Sequence, residues 1–198
     1  MLVKITPDQY IVRRWAGGTT TQLAIFPEDS DYKDHDFLWR VSASSVDLEE
    51  SEFTMLPGIE RMITPIEGSL TLVHDDGPAQ KVEPLQVHTF DGGAKTLAIG
   101  SGTVFNLMIN KEKAKGEVLS AVAAGSDMPF AIELNANEAL LLYLVQGRGT
   151  VYAANQQPLA VGPSETVLFQ QAWSSMVRFN LTAGAKALAV IVEVLPEK

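Results

Sequence analysis

Sliding the 198-residue chain 79 positions along itself brings six residues into register. Ile63 falls on Leu142, Ile66 on Val145, Gly68 on Gly147, Val82 on Val161, Pro84 on Pro163 and Phe90 on Phe169. In each half an apolar strand runs into "EG" or "QG" and a second strand follows. A turn of DDGP or NQQP then reverses the chain, and V-x-P leads to an aromatic residue. Order, turn chemistry and the glycine-to-phenylalanine gap are all kept, so the chain is constrained to a duplicated β-barrel.

The rest of the sequence agrees. Short apolar or alternating runs dominate: Leu38–Ser44, Arg61–Ile66, Ser69–Val73, Thr103–Ile109, Leu140–Val145, Thr150–Ala154, Thr166–Phe169 and Ala187–Leu195. Turn signals such as DGG, GSG and QGRG separate them. Only KEKAKGEV (Lys111–Val118) offers a turn or two of helix. Hydrophobic residues at 46 % and charged residues at 20 % suit a chain with a proper core. The longest apolar runs, Ala139–Val145 and Ala187–Val192, fall far short of the roughly 20 residues of a membrane span.

A net charge of -9 argues against contact with nucleic acid or an anionic membrane. It leaves room for a small anion held by a buried arginine. With no cysteine, disulfides and thiol catalysis drop out, as expected of a reducing cytoplasm. The N-terminus, MLVKITPDQYIVRRW, lacks the apolar core of a signal peptide.

The strand–Gly–strand–turn–V-x-P pattern resembles the cupin barrel, and two copies imply a bicupin. The expected fold is therefore all-β: two cupin-type barrels from an internal duplication, with minor helix. It forms a single unit over residues 1–198, with barrels over about 1–112 and 113–198. Metal-dependent cupins carry an H-x-H pair, a carboxylate and a later histidine. Only His35, His74 and His88 occur here, none so spaced, and no metal or other cofactor is expected.

Four stretches carry candidate chemistry. RRWAGGTTTQLA (Arg13–Ala24) has neither the lysine of a Walker loop nor G-x-G-x-x-G. It reads as a Gly-Gly turn entering a strand with Thr20 and Gln22 on one face. In FLWRVSASSV, alternation puts Arg40, Ser42 and Ser44 opposite Trp39, Val41 and Ala43. Facing solvent or facing inward as an anion anchor are both open. In FTMLPGIERMITPIEG, Arg61 follows a Pro-Gly turn and suits either a rim salt bridge or a ligand contact. In TVFNLMIN, Asn106 shares a face with Val104 and Met108, and a buried amide there needs partners.

Taken in order, W-x-G-G-T-T, F-x-W-R-V-S-x-x-x-V, F-x-x-x-P-G-I-x-R, I-E-G, F-D-G and F-N-L-M resemble the HutD/Ves family of bicupins over roughly the first 110 residues. The resemblance implies a small-molecule binder. HutD proteins are thought to bind an intermediate of histidine utilisation, such as formylglutamate, and to limit that pathway. Val104 stands where the family usually has an acidic residue, Glu52 where it has glycine, and Ala16 where a third glycine is common. These departures point to the Ves-like branch.

The expected function is a metal-free, non-catalytic binder of a small carboxylate-bearing metabolite, with a regulatory role. Arg61 or Arg40 would grip the carboxylate. Ser42, Thr20 and Asn106 would orient it, and Trp15, Phe53, Phe90 and Met108 would wall the site, with His88 at hand. Two alternatives stay open. One is an isomerase or hydrolase using His88 as general acid or base. The other is an interaction module whose edge strands pair into a homodimer.

Overall fold

The computed structural model describes residues 1–170 and 173–196. The first half of the chain forms strands β1 (Leu2–Ile5), β2 (Ile11–Trp15), β3 (Gly18–Phe26), β4 (Trp39–Val46), β5 (Glu50–Glu52), β6 (Ile59–Gly68), β7 (Leu70–His74), β8 (Gln80–Val82), β9 (His88–Asp91), β10 (Thr96–Ile99) and β11 (Gly102–Asn110). The second half forms β12 (Ala114–Val122), β13 (Met128–Leu134), β14 (Glu138–Gln146), β15 (Gly149–Ala153), β16 (Leu159–Val161), β17 (Thr166–Gln170), β18 (Ser175–Leu181) and β19 (Lys186–Val194). Among the described residues the helical element is a single 3-10 turn, Pro7–Gln9. The helical turn expected at Lys111–Val118 is instead a tight turn leading into β12, whose exposed and buried residues follow strand spacing.

Two compact units result. One contains Ile11–Lys115 and is joined by Leu195, whose amide donates to the Lys113 carbonyl at 2.8 Å. The other contains Met1–Tyr10 and Gly116–Val194. The first ten residues thus join the second unit, where the sequence reading placed them in the first barrel. β1 lies antiparallel along β17, from Leu2 opposite Phe169 to Ile5 opposite Thr166. Tyr10 anchors the exit of this segment. Its hydroxyl lies 2.7 Å from Thr166 Oγ1 and donates to the Ser164 carbonyl at 2.9 Å. Burial pushes its pKa up to about 12.

Each unit holds two sheets, and the sheets repeat. The first unit has the orders β4-β11-β6-β9 and β5-β10-β7-β8; the second has β12-β19-β14-β17 and β13-β18-β15-β16. β2 and β3 extend the first of these beyond β4, and β1 extends its counterpart beyond β17. The 79-residue offset carries β7 onto β15 and β8 onto β16. It also carries Leu85, at φ 65°, onto Ser164 at φ 62°, both N–H groups donating back to β6 or β14 carbonyls.

The interiors have diverged. The second unit is packed around Leu134, Leu140, Leu142, Leu144, Phe169, Val177 and Phe179, an uninterrupted apolar core. The first unit has two smaller apolar clusters. One is built from Val46, Ile63, Leu70, Leu72, Val82, Phe90, Ala98 and Val104, the other from Ile25, Phe37, Leu56, Ile59 and Met108.

Gly68 ends β6 and Gly147 directly follows its counterpart β14, at φ 73° and 86°. A Cβ would strike the Ser101 carbonyl at the first and Ala185 at the second. Gly68→Ala and Gly147→Ala are each expected to destabilise the unit that contains them by more than ~1 kcal/mol, read as an earlier urea transition.

Candidate functional site

Strand alternation builds the site. On one face of the six-stranded sheet, Thr20 lies opposite Ser44, which lies opposite Val104. The next row is Gln22, Ser42 and Asn106, and the next is Arg40, Met108, Arg61 and Phe90. Arg40 and Arg61 therefore flank Met108, their Cα atoms two strands or roughly 10 Å apart. Over these rows lies a cavity of about 210 Å³, lined by Trp15, Thr20, Arg40, Ser42, Phe53, Arg61, Asn106 and Met108. Ser44, Val46, Thr54 and Val104 complete its walls, with Arg13, Arg14, Tyr32 and Lys33. Five of the lining side chains are cationic and none is a carboxylate, in a chain of net charge -9.

Arg61 is 5 % exposed, and no hydrogen bond or ion pair to its guanidinium occurs among the described residues. It is held by aromatic faces: its Cζ lies 4.9 Å from the Phe53 ring centre and 5.1 Å from that of Phe90. Arg40, 3 % exposed, donates from Nε to Gln22 Oε1 at 2.9 Å and lies 4.3 Å over the Tyr32 ring. Its Nη1 has only a long contact to Ser42 Oγ, at 3.5 Å, and one to Met108 Sδ at 3.8 Å. Burial pushes both guanidiniums down to about 10, so both stay charged at neutral pH. The Asn106 Oδ1 acceptor and the Trp15 Nε1 donor are likewise buried without partners. Thr20 and Ser44 satisfy each other at 2.8 Å.

Eight of the ten residues singled out from sequence thus line one cavity, and two stand elsewhere. Phe90 lies behind Arg61, in the apolar cluster beneath it. His88 is outside the lining. Its ring stacks on Phe90, and its Nε2 is 2.9 Å from Nε2 of His74 on the other sheet. It is not placed to act as acid or base on a molecule in this cavity. Tyr32, Lys33 and Arg13 escaped the sequence reading. They arrive on β2 and on the 27–38 loop, where Arg13 pairs with Asp31 at 3.1 Å. Arg13 lies in the RRWAGGTTTQLA stretch, and DYKD in the long connection carries no periodic signal of a site.

Among the described residues no three histidine, aspartate or glutamate side chains converge on a common metal position. No helix there is long and apolar enough to cross a membrane.

A buried cation without a counter-charge destabilises the protein that carries it. Arg61→Met, which keeps the length and removes the charge, is expected to raise the stability of the ligand-free protein by about 1–3 kcal/mol. Thermal and urea denaturation measure it, and an unchanged or lowered stability would mean that Arg61 has found compensation.

Similarity to known proteins follows the fold. The conserved protein PA5104 of Pseudomonas aeruginosa PAO1 superposes with a TM-score of 0.84 at 19% identity, covering 99% of this chain and 100% of that one. HutD of Pseudomonas fluorescens SBW25 gives 0.78 at 19% identity, with the same coverage. The vicilin of Solanum melongena gives 0.63 at 10% identity, covering 96% and 84%. These likenesses establish the bicupin fold. The HutD family model matches residues 8–189, nearly the whole chain, and the protein belongs to the HutD family.

Proposed function

We propose that the first unit binds a small carboxylate-bearing metabolite in this cavity and that the protein works by occupancy. The observation that carries the reading is the pair of buried, charged arginines with no carboxylate among the lining residues. Arg61 is the main anchor, because its N–H donors are uncommitted and a guanidinium grips a carboxylate with two parallel hydrogen bonds. Arg40, already engaged with Gln22, offers its remaining donors to a second anionic group or to the far edge of the first.

The other uncommitted atoms refine the ligand. Asn106 Oδ1 calls for an N–H or O–H donor and Trp15 Nε1 for an acceptor. Phe53, Val104 and Met108 suit a short aliphatic stem. Small dicarboxylates and N-acylated glutamates meet these demands, and family membership makes intermediates of histidine utilisation the natural first choices. The vicilin relative is described with different anionic ligands in structurally similar pockets. Arg14 and Lys33 at the lining, with Arg13, give an approaching anion a local positive field that the net charge of -9 would otherwise oppose.

Binding of this kind stabilises the folded state by mass action. Small dicarboxylates or N-acylated glutamates are expected to raise the melting temperature of the wild type. Arg61→Ala and Arg40→Ala should lose that shift, and Arg61→Lys should keep only part of it. A wild type that ignores these compounds, or alanine variants that retain the shift, would overturn the reading.

A further inference from the structure

We propose that His74 and His88 form a two-imidazole site for a late first-row divalent metal ion, Zn2+, Ni2+ or Cu2+, with water completing the coordination shell. Neither histidine lines the anion cavity, so this inference stands independently of the one above.

The geometry brings two imidazole nitrogens from different strands within reach of one ion. β7 and β9 belong to the two sheets of the first unit and bring the two Nε2 atoms to 2.9 Å. The rings are close to parallel, at 10° with centroids 5.2 Å apart. Phe90 braces both, its ring centre 4.7 Å from His74 and 5.8 Å from His88. Two imidazole nitrogens on a tetrahedral ion lie about 3.4 Å apart, given metal–nitrogen bonds of about 2.0–2.1 Å. Because the two Nε2 atoms meet head-on, the pair has to open by about half an ångström and each ring has to tilt by roughly 35° to turn its lone pair onto the ion.

The proton arrangement already favours a metal. The Thr96 hydroxyl lies 3.3 Å from the Ala94 carbonyl and 2.9 Å from His74 Nδ1, and the tautomer in which His74 Nδ1–H donates to Thr96 while Thr96 donates to Ala94 satisfies both contacts. In that tautomer the lone pair of His74 is on Nε2, aimed at His88. The Thr96 contact is the outer-shell support that ligating histidines usually have. His88 fills the position with its own Nε2–H. When a metal enters, that proton moves to Nδ1 of His88 through solvent, both rings bind neutral, and no proton is lost. Asp75 favours a cation at this place and Arg61 opposes it. Both rings are only partly buried, which leaves room for water ligands. Imidazole donors suit zinc, nickel and copper, not magnesium or calcium.

The test titrates ZnCl2, NiCl2 and CuCl2 separately into the full chain, freed of any affinity tag, by calorimetry. One saturable equivalent is expected. His74→Gln and His88→Gln should each weaken it about tenfold or more, and Thr96→Val, which touches no ligand atom, should weaken it by a similar factor. His35→Gln, removing the third histidine of the chain, should change nothing. Electron paramagnetic resonance of the Cu2+ form should show two nitrogen donors in the wild type, a readout that needs no variant to fold. A wild type without saturable binding would overturn the proposal, as would binding that survives loss of both His74 and His88. The 2.9 Å contact would then be a shared-proton hydrogen bond and nothing more.

Discussion

Two guanidinium groups inside one small barrel set the terms for the rest of the first unit. Removing such a cation from water costs several kcal/mol even after the protein relaxes around it. The fold offsets this only in part. Arg61 is given the faces of Phe53 and Phe90, and Arg40 the face of Tyr32 and the side-chain oxygen Oε1 of Gln22. Both groups retain their charge, and neither meets a carboxylate. The two apolar clusters of the unit pack around this charged row without filling it, which is why a cavity persists in a barrel that could have closed.

The second unit shows what closure looks like in the same topology. The 79-residue offset sets Arg61 against Leu140 and Ile63 against Leu142, and both leucines are 1 % exposed. Leu140 packs with Phe169, the counterpart of Phe90, inside an apolar core that contains no charged group. Strand order, the glycine that ends the long strand and the turn after V-x-P are common to both. The difference therefore lies in a handful of inward-facing side chains. That separation is typical of a duplicated fold, where the backbone is fixed by pairing and turn chemistry while the inward positions remain free to change use.

The same separation explains what could be read from the sequence. Turns and alternation are local, so the repeat, the strands and the shared faces of Arg40 with Ser42 and Asn106 with Met108 were legible. Which face was inward was not. Arg61 looked as much like a rim residue as a ligand contact, and only the pairing of β6 with β11 and β9 places it under the barrel wall. Tyr32 reaches Arg40 from a loop, and no periodic signal marks a contact made across a connection of that length. His88 differs in the other direction. It shares its face of β9 with Phe90, but β9 is the edge strand, and that face meets His74 and the apolar cluster instead of open cavity.

Val104 ties these points together. It is 2 % exposed, lies opposite Ser44 on β4, and shares its face with Asn106 and Met108. Family resemblance puts an acidic side chain at this position. A carboxylate there would sit within the same water-poor space as the two arginines, where charges are screened far less than at a surface. It would partly neutralise them and lower the demand on a ligand. Valine does neither: it adds apolar wall and leaves the positive charge whole. Under the proposed binding role, a chain with valine here keeps the architecture of its family but asks its ligand to bring more negative charge. If the barrel binds as proposed, its selectivity is set less by the arginines themselves than by what has been withheld from them.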